Sequence, residues 1–345
     1  MPRKEKIQQM FDSIAPGYDA FNHLTSLGAD RVWRRKALRE VVGHRVLDEA
    51  CGTGDFAIAI AKHLGDLDRK GLNTGKVPDF QGGPGQKKAE NCAGPRFSRG
   101  TWTEKGQKLC RSQVFGGDLD RKRPKSGKDP GFQGGPGQKK TEIWEGPLQN
   151  IGTSTAEISV VGVDISEGML EVMRRKVEAA GLSGSVGGAA EPGPAATEPG
   201  VTVHAELGDC CALQFPDASF DTVTAAFGVR NFEDREKALQ EVLRVLRPGG
   251  HFVMLELGIP RNPIVRAAYK FYFTRIMPLV GAGISKDKAA YKYLPASVLN
   301  FPKPEDWTAT MQKAGFAEVR HRPLSLGICN LFTGVRPSTQ EYPQA

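Results

Sequence analysis

The sequence has no pair of cysteines at C-x-x-C spacing; its six cysteines, Cys51, Cys92, Cys110, Cys210, Cys211 and Cys329, are scattered. Six histidines likewise show no ligand spacing. These absences speak against a structural zinc site or a disulfide framework and make a reducing, cytoplasmic setting the expectation. The opening residues, MPRKEKIQQMFDSIAPGYD, lack the apolar core of roughly 7–15 residues that a secretory signal carries. No run approaches the ~20 apolar residues of a membrane span. Hydrophobic residues make up only 39% of the 345-residue chain, whereas 41 Gly and 23 Pro are numerous and unevenly spread. This composition describes a packed domain diluted by unpacked segments.

The formal net charge of +8 invites a nucleic-acid reading, but its location argues against one. Between Gly65 and Glu145, 17 lysines and arginines stand against 10 acids, so nearly all of the excess sits in one segment. That segment repeats itself. GDLDRKGLNTGKVPDFQGGPGQKKAE (65–90) returns as GDLDRKRPKSGKDPGFQGGPGQKKTE (117–142), a period of 52 residues. Two copies are too few for a solenoid, and neither shows an apolar period of 2 or 3.6. Residues 66–155 therefore read as a disordered low-complexity insertion. A basic tether for RNA or anionic lipid is the competing reading. No aromatic stacking motif accompanies the lysines, and a nucleic-acid partner is not expected. A second stretch, SGSVGGAAEPGPAATEPG (183–200), reads as a flexible linker.

What is present begins at RVLDEACGTGDFAIAIAKHLG (45–65), an apolar run ending in an acid, a glycine-rich turn and a small-residue helix. Such a loop usually has a partner acid about 20 residues on, at the end of the next strand, where it holds a ribose. The insertion displaces it. With 66–155 set aside, AEISVVGVDISEGMLEVMRRKVEAAG (156–181) supplies a buried strand ending at Asp164. Ser166 is then placed to cap a helix with Met169, Leu170, Met173 and Val177 on one face. Insertion at a surface connection is tolerated because closure entropy grows only logarithmically with loop length. Further strands are expected within 201–215, before Gly208-Asp209, within 219–232, before a loop carrying Arg230 and Asn231, and over 251–258, with a helix over 233–250 burying Ala238, Val242 and Val245 or Leu246. A helix and two closing strands follow in 307–336. The alternation predicts an α/β fold with a doubly wound, mostly parallel sheet and ligands at the carboxyl ends of its strands.

The loop is neither a Walker motif nor a full G-x-G-x-x-G. Ala50, Gly52 and Gly54 give A-x-G-x-G, and Asp55 follows, which repels phosphate. An adenosine ligand with a positive centre and an amino-acid end suits it better, and S-adenosylmethionine is such a ligand.

LDEACGTGD, VVGVDISEGML, GDCCALQFPDASFD and RVLRPGGHFVMLE resemble the successive motifs of class I S-adenosylmethionine-dependent methyltransferases, which have a seven-stranded Rossmann-like sheet. More narrowly, YDAFNHLTSLGADRVWRR (18–35), FGVRNF (227–232), RPGGHFVMLELGIPRNP (247–263) and YKYLPASVLNFPKPEDW resemble the ubiquinone/menaquinone biosynthesis C-methyltransferases. The resemblance implies an N-terminal helical segment, 1–44, that covers the substrate, a methyltransferase domain over 45–336 interrupted by the two insertions, and a tail, 337–345. It implies S-adenosylmethionine-dependent C-methylation of a polyprenyl quinol, demethylmenaquinol to menaquinol, with 2-polyprenyl-6-methoxy-1,4-benzoquinol as the alternative substrate and a non-catalytic cofactor-binding member of a quinone-biosynthesis assembly as the alternative role. On the cofactor side it points to Gly52, Thr53 and Gly54 for the methionine end, Asp164 for the ribose hydroxyls, and Asp209 with Cys210 for the adenine. On the catalytic side it points to Arg230 as an oxyanion stabiliser, Asn231 for ring orientation, and Tyr18 and His23 in the covering segment, with His23 a candidate base. No metal is expected. The chain departs from the family's pattern at Glu49, where an apolar residue is usual, and at Ala226, where a small polar one is common. Residues 264–280, IVRAAYKFYFTRIMPLV, fit a core helix, a wall of the apolar substrate site or a membrane-facing helix equally. Peripheral contact at the inner face of a membrane and a homodimer both stay open.

Overall fold

The computed structural model describes residues 4–72, 157–182, 200–277 and 288–338; side chains are described throughout except at 288–292. Most of the 66–155 insertion, all but the last residue of the 183–200 linker and the end of the tail lie outside them.

Seven strands form one sheet in the order β3-β2-β1-β4-β5-β7-β6. They are β1 (Arg45–Glu49), β2 (Ile158–Asp164), β3 (Val201–Leu207), β4 (Phe220–Ala226), β5 (Leu246–Leu257), β6 (Ala317–Leu324) and β7 (Cys329–Val335). The first five pair in parallel; β7 pairs antiparallel with both β5 and β6. The chain reverses its winding between β1 and β4, and the crevice beyond their carboxyl ends is where such a sheet binds ligands.

Three helices precede the sheet: α1 (Lys4–Ile14), α2 (Tyr18–Thr25) and α3 (Ala29–Ala37). Then come α4 (Asp55–Arg69), α5 (Glu167–Ala179), α6 (Arg235–Val245), α7 (Pro263–Phe271), α8 (Lys288–Leu299) and α9 (Pro304–Ala314). The pleat sends alternate side chains to opposite faces of the sheet. On β1, Leu47 joins a core with α6 and α9 side chains such as Leu239, Trp307 and Met311, while Val46 joins one with α3, α4 and α5, including Trp33, Ile60 and Met173. Every residue of β2 is buried, as a strand covered on both faces requires. The Ser166 side chain accepts from the Met169 amide, and Met169, Leu170, Met173 and Val177 form the buried face of α5. A third, smaller cluster joins Phe21, Tyr269, Phe273, Met277 and Val298.

Two boundaries differ from expectation. Helix α4 runs to Arg69, so residues 66–69, assigned above to the insertion, are its last turn. Helix α6 stops at Val245 rather than at Gly250. Pro248 disfavours helical backbone at Arg247, and Leu246 pairs instead with Phe220.

Candidate active site

Two cavities adjoin at the carboxyl edge of the sheet. The first, about 390 Å³, opens over the loops that follow β1, β2, β3 and β4. It falls within the roughly 300–1,000 Å³ of small-molecule sites. Its floor is the β1–α4 turn, where Ala50, Gly52 and Gly54 all have left-handed backbone (φ 49°, 55° and 79°). Gly54 is required there for a second reason: a Cβ would stand 2.4 Å from Cγ of Met173.

Asp164 ends β2 and projects into this cavity. One carboxylate oxygen accepts from the Gly52 amide and the other from the Ser166 amide, each at 2.9 Å. A carboxylate has about four acceptor sites, so Asp164 keeps capacity to accept from a ligand hydroxyl beyond these amides. Burial pushes its pKa up to about 6, against the opposing pull of those amides. Asp209 lies in the turn after β3, where its carboxylate meets Lys4 at 2.6 Å and accepts from the Cys211 amide at 2.9 Å. Burial would raise its pKa, but the bonds from Lys4 and Cys211 hold it below the usual carboxylate range. Cys210 lines the same cavity, and burial drives its thiol far above the ordinary range. It contributes shape rather than a thiolate. Carboxylates on the loops after β2 and β3, in a cavity that also borders the β1–α4 turn, match a ribose, an exocyclic amine and an amino-acid end. S-adenosylmethionine fits this donor set.

The second cavity, about 360 Å³, is more apolar. Trp33, Tyr269, Tyr272, Phe273 and Met277 form much of its wall, with Arg230 and Asp30 among its few charges. Residues 264–277 therefore do two things. Tyr269, Phe273 and Met277 are buried, while Ile264, Phe271 and Ile276 are 79%, 61% and 40% exposed.

Arg230 is buried and bound to Glu256, itself fully buried on β5. Nη1 donates to Glu256 Oε1 at 2.8 Å and also to the Phe227 carbonyl; Nε donates to Ser297 at 3.3 Å; the backbone amide donates to Glu256 Oε2 at 3.0 Å. Nη2 has no hydrogen-bond partner among the described residues, and it is not sealed from the space around it. Burial opposes its charge, but Glu256 more than offsets this, so the guanidinium stays cationic. Tyr18 is held in its phenol form: burial raises its pKa, and Arg230 and Asn22 only partly offset the rise.

Tyr18 and Phe227 line both cavities. The expected site residues divide between the two. Gly52, Asp164, Asp209, Cys210, Asn231 and Tyr18 line the first; Arg230 and Tyr18 line the second. Three line neither. Thr53 is buried and donates to Asp19 at 2.5 Å, Gly54 packs beneath the turn, and His23 binds Asp30 at 2.9 Å with Asp55 3.6 Å from its other nitrogen. Asn231 belongs to the first cavity and accepts from Tyr293 at 3.1 Å. It is separated from Arg230, which lines the second cavity, because a 3₁₀ turn over Val229–Asn231 directs successive side chains about a third of a turn apart. His23, Asp30 and Asp55 gather within 4.8 Å, but Arg34 and Lys176 already serve the carboxylates.

The sequence reading gave no role to Glu256, Phe227 or Trp33, whereas the stretch 264–280, read as a core helix, a cavity wall or a membrane-facing helix, does supply Tyr269, Tyr272, Phe273 and Met277 to the second cavity. Glu256 alone had a signal: an acid inside the apolar strand HFVMLEL needs a buried cationic partner.

The family described as the ubiE/COQ5 methyltransferase family matches residues 2–81 and 141–336. The chain belongs to that family. It is 33% identical over 333 residues to a protein of Geobacter sulfurreducens named ubiquinone/menaquinone biosynthesis C-methyltransferase UbiE, covering 96% of this chain and 88% of the relative. It is 32% identical over 337 residues to a Bacteroides fragilis protein named demethylmenaquinone methyltransferase, covering 97% and 94%. The fold is shared with a solved [4+2]-cyclase, SpnF, at a TM-score of 0.51 and 13% identity, with 98% of each chain covered. The family's match leaves 82–140 out, a stretch inside the repeat-bearing segment.

Proposed function

We propose that this ubiE/COQ5 family member methylates a ring carbon of a polyprenyl quinol, converting demethylmenaquinol to menaquinol, with S-adenosylmethionine in the first cavity and the ring in the second. The observation that carries this reading is the adjacency of an acid-lined cavity and an aromatic-walled one across Tyr18 and Phe227. S-adenosylmethionine, when bound, supplies a methyl group on a sulfonium. Asp164 holds the ribose hydroxyls, Asp209 accepts from the adenine amine, and the amides of the β1–α4 turn face the methionine end.

The acceptor must be the reduced ring, because a quinone is too electron-poor to attack. Loss of a phenolic proton makes the quinol nucleophilic. Arg230 is too basic to take that proton, but its cationic guanidinium stabilises the resulting oxyanion through Nη2. Tyr18, held protonated, is a hydrogen-bond donor to the same oxygen rather than a base. Methyl transfer would form a carbon–carbon bond at the ring as the methyl–sulfur bond of the sulfonium breaks to leave the neutral thioether, and the ring proton at that carbon would then pass to water, restoring aromaticity. Holding the two reactants in adjoining cavities supplies proximity and alignment.

A polyprenyl tail does not fit a 360 Å³ cavity with its ring, so it leaves through the mouth. Leu27, which lines the cavity, is 85% exposed there, and Leu326 and Ile264, each beside a lining residue, are 73% and 79% exposed. Arg31, Arg266, Lys270 and Arg275 are exposed on the same elements. No described helix is long and apolar enough to cross a membrane. An apolar rim set among basic residues supports peripheral docking on an anionic bilayer. A Leu27→Asp, Leu326→Asp double variant is expected to lose sedimentation with phosphatidylglycerol vesicles; undiminished sedimentation contradicts the docking.

The substrate reading is tested by methyl transfer with demethylmenaquinol and 2-polyprenyl-6-methoxy-1,4-benzoquinol side by side. Labelled menaquinol is the expected product. Turnover of the benzoquinol alone reassigns the substrate, and turnover of neither overturns the proposal.

A further inference from the structure

The established chemistry of the family says that a methyl group moves; the structure adds where it crosses. A methyl passing from a cofactor in one cavity to a ring in the other must travel between residues that border both. Among the described residues, Tyr18 and Phe227 are the two that do. Each is held in place by features independent of the cavities themselves. Cε1 of Tyr18 stands 3.6 Å from where a Cβ on Gly52 would lie, so the ring rests over the β1–α4 turn. Phe227 has left-handed backbone (φ 65°), unusual for a bulky residue. Its amide donates to Leu255 at 2.8 Å, and its carbonyl accepts from Arg230. The next residue must be glycine, because a Cβ at Gly228 would lie 2.4 Å from that of Ala50. Strain of this kind persists only where surrounding contacts over-determine it, and it collects at functional sites.

We propose that Tyr18 and Phe227 form an aromatic partition that binds the sulfonium of S-adenosylmethionine by its positive charge, and so selects the cofactor over its neutral thioether product, S-adenosylhomocysteine. This rests on the cofactor reading above and goes beyond it. An aromatic face attracts a cation through its quadrupole and offers a neutral thioether much less. The cations nearby are already paired, and Asp164 in the first cavity is bound by backbone amides alone. Arg34, whose guanidinium carbon lies 5.5 Å from the Phe227 ring centre, is paired with Asp30, and Arg230 is paired with Glu256. The sulfonium charge disappears when the methyl leaves, so this attraction fades as product forms. The partition therefore favours exchange of spent cofactor for fresh, and it keeps bulk water from the transferring methyl.

The test is calorimetric titration of the full chain with S-adenosylmethionine and, separately, with S-adenosylhomocysteine. Tyr18→Leu and Phe227→Leu are each expected to weaken S-adenosylmethionine binding by roughly two- to thirtyfold while leaving S-adenosylhomocysteine binding nearly unchanged. Tyr18→Phe, which keeps the ring, is expected to retain the discrimination. Retained S-adenosylhomocysteine binding also reports that a variant is folded. Should a leucine variant fail to fold, stepwise fluorinated phenylalanine at position 18 keeps the shape and removes the quadrupole; S-adenosylmethionine affinity is then expected to fall with each fluorine. Equal weakening of both ligands, or no dependence on fluorination, overturns the partition. Failure of the wild-type protein to bind either ligand overturns the cofactor reading instead.

Discussion

The two cavities are built in different ways. The first is a product of the sheet: its acids and glycines lie at or just beyond strand ends, each within a few residues of the element that places it. The second is assembled from α2, α3, the turn after β4, α7, and the loop between β6 and β7, segments hundreds of residues apart in the chain. One is the more polar of the two, with the carboxylates of Asp164 and Asp209 in its lining. The other is aromatic, with two ion pairs, Arg230–Glu256 and Arg34–Asp30, at its edge. A sheet edge thus provides a generic cofactor site, and the helices laid over it decide what else can enter.

The sharpest way to break this division is at Arg230. Arg230→Ala removes the proposed oxyanion stabiliser and leaves Glu256 buried without its partner. Turnover should fall by about 10²–10³, and stability by about 3–5 kcal/mol, measured by methyl transfer and by urea unfolding. Arg230→Met with Glu256→Leu removes both charges and should recover most of the stability but none of the turnover. Recovery of both would make the pair purely structural. Lysine at position 230 keeps the charge but loses the fork that reaches Glu256, Ser297 and the cavity together, so it should restore little.

Asp164 probes the other cavity. Asp164→Ala should weaken S-adenosylmethionine binding by roughly ten- to a hundredfold, since hydrogen bonds to a charged group are worth about 1.5–3 kcal/mol. Quinol binding should change little. An equal loss of both affinities in calorimetry would erase the distinction between the cavities.

The contrast also explains what could be read in the sequence. Asp164, Ser166 and the α5 face were legible because spacing and periodicity are local properties, and they survived removal of the 66–155 segment from consideration. The doubly wound, mostly parallel sheet followed from alternation, and its seven strands from the resemblance to the family. His23 could not be placed by such means. Its neighbours Asp30 and Asp55 take its ring nitrogens, and only three-dimensional packing reveals that it borders neither cavity. Arg230 and Asn231 are adjacent in sequence, yet a tight turn sends them to different sites. Phe227 opens the FGVRNF motif, but its place between the cavities carried no signal, because a left-handed phenylalanine is a tertiary fact rather than a propensity.

A smaller effect is expected at Glu49, which lies beneath the first cavity at the end of β1. Both carboxylate oxygens are buried without a hydrogen-bond partner, and burial, reinforced by Asp48 and Glu241, raises its pKa well above the ordinary value. The folded protein therefore holds a proton that the unfolded chain releases near pH 4.5. Its stability contribution is full below that pH and declines as pH rises through the folded pKa. Glu49→Leu should stabilise the protein by roughly 1–3 kcal/mol at neutral pH. The advantage over wild type should grow between pH 4.5 and pH 7.5 in urea unfolding; an advantage that shrinks over that range would mean that Glu49 is ionised in the fold.

The separation of the two cavities is tested most directly by hydrogen exchange of the wild-type protein with each ligand added alone. S-adenosylmethionine should protect the β1–α4 turn and the segments after β2 and β3. A short-chain demethylmenaquinol should protect α2, α3 and α7, with the turn at Phe227 slowed by both. Protection of the same segments by both ligands, or of α7 by the cofactor alone, would contradict the account.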